Sequence, residues 1–406
     1  MTSSKRTGIA ALLLSAAMMN VAYTMLVPLV PELTGRFQMS ALEVAAAFSG
    51  FALAKALTQP IGGILVDRTV RPQLIGFIGM MMTAVTVFGL GFATAGWQVL
   101  AWRLAWGVAE GLTMPVLYHL ASSLGDSSRY GTARVMGWLG GFCTAGMVLG
   151  PAVVGLLHPL LGFTGVFLAG AAVTALGGVL LLGLRIDPVA AAPPAEAVEG
   201  KRPGAVRLLV LLVAVFAVVD LVNNALFGAL EPVVPLHLDK VTGNGVAYTS
   251  VIYTAGLAVF MIVAMTCARF VESRPLLVIS AFAFGTQAVG LTAVGLFDGV
   301  VAMSAGLLLF MSAQPVLYLV ARQGVNLVPR HQLGRAFGAF GLVSDIGFII
   351  GPLLGALAYS QLGTSAFLVM AVVAAAAGLG AALLRRLPDR LLAKDPPVTA
   401  KTTEPV

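Results

Sequence analysis

Apolar residues run along this chain in long blocks separated by short polar clusters, and the blocks hold few charges. A helix rises about 1.5 Å per residue, so a block of roughly 18 or more apolar residues is long enough to cross the hydrocarbon core of a bilayer. Twelve such blocks are expected, at 8–31, 41–65, 73–95, 97–120, 135–157, 163–185, 207–230, 245–268, 275–297, 300–322, 335–358 and 364–385. They predict an all-α integral membrane fold. The first block follows Lys5 and Arg6 but is too long for a signal peptide, lacks a clear small-residue cleavage site and precedes eleven others, so it is expected to be retained. Between the sixth and seventh blocks lies DPVAAAPPAEAVEGKRPG, rich in Pro, Ala and charge, which reads as a linker. The expected organisation is therefore a six-helix bundle over 1–186, a linker over 187–206, a second six-helix bundle over 207–388 and a polar tail over 389–406.

The two halves echo each other. GWLGGFCTAGMVLGPAVVG at 137–155 returns as GAFGLVSDIGFIIGPLLG at 338–355, PLVP at Pro28 as PVVP at Pro232, RPQLI at Arg71 as RPLLV at Arg274, and MPVLY at Met114 as QPVLY at Gln314. The pattern predicts a duplication, two pseudo-symmetric bundles with a site at their interface, which is a recurrent plan among transporters. Lipid gives helices no hydrophobic reason to associate, so contact surfaces in a membrane use small residues that let backbones approach. Gly137, Gly146, Gly150, Pro151 and Gly155 form such a surface in the first copy, and Gly338, Gly347, Gly351, Pro352 and Gly355 in the second. A proline inside a helix removes a backbone donor and bends it. Two smooth, kinked helices suit halves that rock against each other; a static packing role is the other reading.

Composition agrees with the pattern. Hydrophobic residues make up 59% and charged residues 10% of the chain, with a mean hydropathy of +0.96, far from soluble usage, where roughly a quarter of residues are charged. The formal charge of +7 raises the question of nucleic acid. With both termini placed in the cytoplasm, however, 20 of the 24 Lys and Arg residues fall in cytoplasmic segments. That is the positive-inside asymmetry of a plasma-membrane protein, so the basic balance reports topology and excludes a nucleic-acid partner. Cys143 and Cys267 sit on different spans and suggest neither a disulfide nor a metal pair. The sequence has no GxxxxGK[ST] phosphate loop, HExxH, catalytic triad spacing or Cys/His cluster. No cofactor, resident metal or enzymatic activity is therefore expected, and ATP is not the direct energy source.

Ionisable residues inside spans are costly and point to function. Arg103 and Glu110, seven apart on the fourth span, share nearly one face about 10 Å apart in height. Arg103 is expected to organise a polar network, and Glu110 to titrate or face substrate; a static Arg to Glu pair is the alternative. On the seventh span Asp220, Asn223, Asn224, Phe227 and Glu231 form one stripe, which is expected to face a cavity rather than lipid. A desolvated carboxylate there would exchange protons near neutral pH. Asp220 is the expected proton carrier and Glu231 either cavity-facing or interfacial. The repeat matches Asn20 to Asn224 and Tyr23 to Phe227, bringing Asn20 and Tyr23 to the same cavity. Asp345 is a second candidate proton site or a partner for Lys55, and Lys55 is alternatively a substrate-attracting cation. Gln314, Tyr118, Tyr248 and Tyr253 are candidate cavity lining, whereas His119, His158, His237 and His331 read as interfacial.

Four motifs resemble the major facilitator superfamily, and within it the twelve-span drug:H⁺ antiporter group. GILVDRTVRP, containing Asp67, Arg68 and Arg71, resembles the family's cytoplasmic loop motif between spans two and three, though Val70 stands where glycine is usual and Pro72 where a second basic residue is common. RLAWGVAEG from Arg103 is similar to the span-four motif associated with proton coupling. The fifth span is similar to the antiporter motif, with Val154 in place of its penultimate glycine, and Pro28 with Pro31 resembles a span-one signature. The resemblance implies a bacterial inner-membrane monomer that exports a small organic molecule, a drug-like amphiphile or a metabolite such as a siderophore, in exchange for protons. Proton-coupled uptake is the alternative it leaves open.

Overall fold

The structure, a computed structural model, describes residues 3–69, 71–184, 203–272, 275–297, 299–327 and 333–386. Helix α1 (Ser3–Met25) passes through one tighter turn at Val27–Leu29 into α2 (Val30–Phe37). Pro28 and Pro31 sit at the starts of that turn and of α2, where the missing backbone donors cost least. Then follow α3 (Ala41–Asp67), α4 (Pro72–Gly91), α5 (Gly96–Asp126), α6 (Thr132–Leu182), α7 (Pro203–Thr242), α8 (Gly245–Glu272), α9 (Leu276–Leu296), α10 (Val300–Val325), α11 (Leu333–Leu362) and α12 (Ser365–Leu383).

Ten segments are long and apolar enough to cross a membrane, Arg134–Leu182 among them. That segment makes two passes, because Gly162, at φ 62, breaks α6 into two helices. With α5, which is 31 residues long and carries Arg103 and Glu110, the described residues supply twelve passes. Two expected boundaries move. α7 begins at Pro203, inside the stretch read as linker, and continues past 230 to Thr242, so Pro232 and Pro235 lie within one helix rather than ending it. Residues 185–202 and the tail beyond 386 lie outside the described residues.

The helices pack twice in the same arrangement. α1 lies on α6, α3 on α5, and α4 on both α5 and α6; correspondingly α7 lies on α11, α8 on α10, and α9 on both α10 and α12. The two six-helix bundles meet through α3 against α11 and α6 against α8.

Most of the spaced glycines serve close packing between helices, the static one of the two readings. A methyl group at Gly146 would stand 2.1 Å from the Ala17 carbonyl oxygen on α1, and one at Gly150 2.1 Å from Thr24 Oγ1. In the second copy the corresponding distances are 2.4 Å from Gly347 to Leu221 O, 2.4 Å from Gly351 to Ala225 O and 2.7 Å from Gly355 to the Ala229 side chain. Both surfaces thus lock α6 to α1 and α11 to α7 inside their own halves. A polar bond reinforces the first lock, Thr24 Oγ1 donating to Met147 O at 2.9 Å, and Ser15 Oγ donates at 2.7 Å to Gly177 O on the helix beyond Gly162. Interhelical bonds of this kind in membranes contribute roughly 0.6 to 1.7 kcal/mol. Ser15→Ala is accordingly expected to lower thermal stability in detergent by that modest amount and leave transport intact.

Of the two repeated faces only Gly155 reaches across, its added methyl meeting Ser250 Cβ of α8 at 3.1 Å. Gly137 is five helical turns before it on the same face, yet nothing lies within 4 Å of it. So α6 and α8 touch at one end and diverge toward the other. The side-chain surroundings of Gly338 lie outside the described residues.

Candidate functional site

The diverging end is the one at the start of α1, since Gly8 packs there against Leu124 and Leu184. The opposite end is shut. Pro31 of α2 would lie 2.9 Å from a methyl placed on Gly245 at the start of α8, and Tyr253 Oη donates to Leu230 O at 3.1 Å, tying α8 to α7. Between shut end and open end runs a band of polar and charged side chains from both halves.

In the first half Arg103 is 1% exposed and does not pair with Glu110. Its guanidinium lies over the rings of Phe51 (4.2 Å), Trp106 (5.0 Å) and Phe48 (5.2 Å), Nε donates to Ala47 O at 3.4 Å, and Nη1 has no hydrogen-bond partner. Aromatic faces attract such a cation without neutralising it. Glu110 instead takes Lys55 Nζ at 2.5 Å, its second oxygen being buried without a partner. Lys55 therefore has a carboxylate partner, and it is not Asp345. The Lys55 ammonium also lies 5.9 Å from the Tyr23 ring and 5.8 Å from that of Phe51. Asn20 is half-buried and donates to Ala16 O at 2.8 Å.

In the second half Asp220 is fully buried. Ser344 Oγ donates to its Oδ2 at 2.6 Å, and Arg322 Nη1 lies 3.3 Å from the same oxygen. Asn224 Nδ2 donates to Ser344 Oγ at 2.9 Å. Asn223 turns the other way, its Oδ1 accepting from Gln287 Nε2 at 2.9 Å and its Nδ2 donating to Gln314 O at 3.4 Å. Asn223 and Gln314, both expected at the cavity, thus belong to a buried polar knot among α7, α9 and α10. Phe227 packs edge-on against Phe348 of α11 at 6.3 Å. Glu231 is 4% exposed near the shut end and makes no ion pair among the described residues. Asp345 is half-buried and likewise unpaired.

Sequence reasoning misses Arg322, which it places at a polar span end. Its spacing is the available signal, since Gln314, Tyr318 and Arg322 follow one another at four-residue steps, and in the structure the guanidinium carbon lies 3.3 Å from the Tyr318 ring centroid. Ser344 carries no signal. Two histidines read as merely interfacial have partners: His158 pairs with Glu32, and His237 Nδ1 lies 3.1 Å from Tyr359 Oη. His331 lies outside the described residues. Asp67, Arg68 and Arg71 are exposed at the open end and make no ion pair among the described residues. A hollow of about 540 Å³ outside α4 and α5, lined by Phe77, Met81, Met82 and Val108, is almost wholly apolar and stands apart from this polar band. No group of three or more metal-ligating side chains occurs among the described residues.

Two bundles joined by interfaces that open at one end, over a buried band of acids and bases, constrain the family, and a match to known families decides it. The family model Major Facilitator Superfamily matches residues 12–325 and 324–405. The chain belongs to the major facilitator superfamily. The superfamily is one of multi-pass membrane transporters, not enzymes. It is 21% identical over 236 residues to Multidrug resistance protein 1 of Bacillus subtilis, covering 58% of this chain and 59% of that one. It is 29% identical over 201 residues to the multi-drug resistance efflux pump PmrA homolog of Lactococcus lactis, covering 48% and 47%. The Quinolone resistance protein NorA of Staphylococcus aureus matches at 23% over 133 residues, or 33% and 34%. These matches span about a third to three fifths of the relatives' lengths. Among solved structures, a bacterial homolog of the human lysosomal transporter Spinster, inward-facing and occupied, superposes with a TM-score of 0.79 at 14% identity over 97% of this chain and 99% of that one. The nucleoside transporter NupG does so at 0.71 and 15% over 96% and 99%. At such identities the superpositions speak for the shared fold.

Proposed function

We propose that this superfamily member exports a small organic molecule across the bacterial inner membrane in exchange for protons, by alternating access between a bundle spanning 1–186 and one spanning 207–388. The observation that carries this reading is the arrangement of Asp220 with Arg322 and Glu110 with Lys55: buried carboxylates, each held by one base, one pair in each half beside an interface open at a single end. A carboxylate whose only counter-charge is one movable base is suited to trade that base for a proton. The efflux names of the partial relatives support the outward direction. The positive-inside charge distribution supports a cytoplasmic position for both termini; on that reading the observed form is inward-open and the protein acts as a monomer.

Membrane vesicles turned inside out and energised to an acid interior supply the test. Antiport predicts that they accumulate a fluorescent amphiphile such as ethidium and lose it when the pH gradient is collapsed with nigericin. Proton-coupled uptake predicts the reverse, an acid interior driving ethidium out of preloaded vesicles.

A further inference from the structure

The described charges of the central band do not cancel. Glu110 has Lys55 and Asp220 has Arg322, while Asp345 has no ion pair. Arg103 is held by aromatic rings, and Glu231 is buried toward the shut end. Asp345 is therefore the half-buried acid left for a visiting cation. Phe348, one turn further along α11 and packed on Phe227, gives that cation an apolar wall. Lys55 stands on α3, which packs against α11 across the junction of the halves. Its side chain is 29% exposed, and it acts electrostatically on Asp345 as well as bonding Glu110.

We infer that Lys55 is an internal cation that moves between Glu110 and Asp345 as the halves rock, so that an organic cation on Asp345 and a proton on Glu110 occupy the protein in turn. This rests on the antiport reading above and names its coupling groups and its substrate charge. In the observed form Lys55 pairs with Glu110 and leaves Asp345 open to a cation from the cytoplasm. Rocking changes the α3 to α11 contact. Lys55 then pairs with Asp345 and displaces the cation to the outside, and Glu110, having lost its base, takes a proton from the water there. On return Lys55 recovers Glu110, and the carboxyl O–H breaks to release its proton to the cytoplasm. At this relay one monovalent cation leaves and one proton enters, so its charge balances without a further ion.

The groups facing these carboxylates fit the scheme. Around Glu110 stand Lys55 from α3, Tyr23 from α1, Cys143 from α6, and Arg103 and Tyr118 from α5 itself. Around Asp345 stand Lys55 from α3, Asp220 from α7 and Arg322 from α10. Among these, Arg103 and Arg322 are held by rings and by Asp220, which leaves Lys55 as the base positioned to serve both acids.

The experiment measures tetraphenylphosphonium binding and proton release together on the purified full-length protein in weakly buffered detergent. Wild type is expected to bind the probe and release protons, and Asp345→Asn to lose binding. Lys55→Met should bind at least as well as wild type and release none. In Glu110→Gln, Lys55 settles on Asp345; if only a tenth of molecules then keep that site open, apparent affinity falls about tenfold. The double variant Lys55→Met/Glu110→Gln should recover the binding of Lys55→Met, which separates the relay from a folding defect. Release that persists in Lys55→Met, or unchanged affinity in Glu110→Gln or Asp345→Asn, overturns the relay while leaving antiport standing. A wild type that binds the probe but releases no proton overturns antiport and the relay with it. A wild type that binds none overturns the cation site.

Discussion

Gly146→Leu is expected to yield almost no folded protein, whereas Gly137→Leu is expected to fold normally and to stop transport. The two glycines lie on one helix and in one repeated motif, and local propensity favours leucine over glycine at both. They differ in what they face. At Gly146 the first added carbon would stand 2.1 Å from the Ala17 carbonyl oxygen and 3.0 Å from Ala17 Cα, both backbone atoms of α1. No rotamer relieves such a clash, so α1 and the first helix of α6 would have to separate, giving up the Thr24 bond along the same seam. Overpacking that side-chain shifts can absorb costs about 1 to 3 kcal/mol; prising apart two helices costs more, against a total stability of about 5 to 15 kcal/mol. At Gly137 nothing lies within 4 Å, so leucine is accommodated in the observed form. That face is the one aligned with the Gly155 contact to Ser250 on α8, and its diverged end must close when the halves rock. Detergent-solubilised yield by size exclusion checks the first variant. For the second, normal yield combined with lost ethidium accumulation in inverted vesicles is the expected pair of results, and normal transport would show that α6 and α8 never approach there.

The parts of the fold visible in the sequence are those set by one-dimensional rules. Bilayer thickness fixes block length and duplication repeats its punctuation, so the twelve passes and two bundles are open to view. Glycine spacing shows that a close helix contact exists but not which helix makes it. The partner lies more than a hundred residues away for α6 on α1 and for α11 on α7, and the expected inter-half role falls mostly to Gly155. The stripe on α7 fails for an angular reason. At about 100° per residue, Asn223 and Asn224 stand on opposite edges of a band centred on Asp220, so one edge meets Gln287 and Gln314 while the other meets Ser344. Arg322 is hidden by a boundary. α10 runs to Val325, placing its guanidinium back along the helix against Tyr318 and Asp220 rather than in a cytoplasmic loop.

Asp220→Leu is expected to destabilise the protein strongly and abolish uphill transport, Asp220→Asn to abolish uphill transport at a smaller cost in stability, and Asp220→Leu/Arg322→Leu to regain stability but not uphill transport. Asp220 is wholly buried, and Arg322 is 32% exposed on its side chain. Removing one partner of a buried pair costs about 3 to 5 kcal/mol because the other charge is left unmatched. Water at the open end reduces that cost for Arg322, as does the Tyr318 carbonyl, which accepts from its Nη1 at 3.2 Å, so the lower part of the range applies. Asparagine also leaves Arg322 without its counter-charge, but it retains an acceptor for Ser344 Oγ and a shape matched to the site, so it should cost less than leucine. Exchanging both charges for apolar groups removes the desolvation cost together with the attraction, and such replacements are often neutral for stability. Transport separates the roles. If the pair only staples α7 to α10, the double leucine variant will accumulate ethidium in acid-interior vesicles once its yield recovers. If Asp220 exchanges Arg322 for a proton during the cycle, no stable variant lacking the carboxylate will accumulate ethidium against a gradient, although downhill ethidium movement should persist in Asp220→Asn. The informative comparison is therefore uphill against downhill flux in the same preparation, read beside its melting temperature.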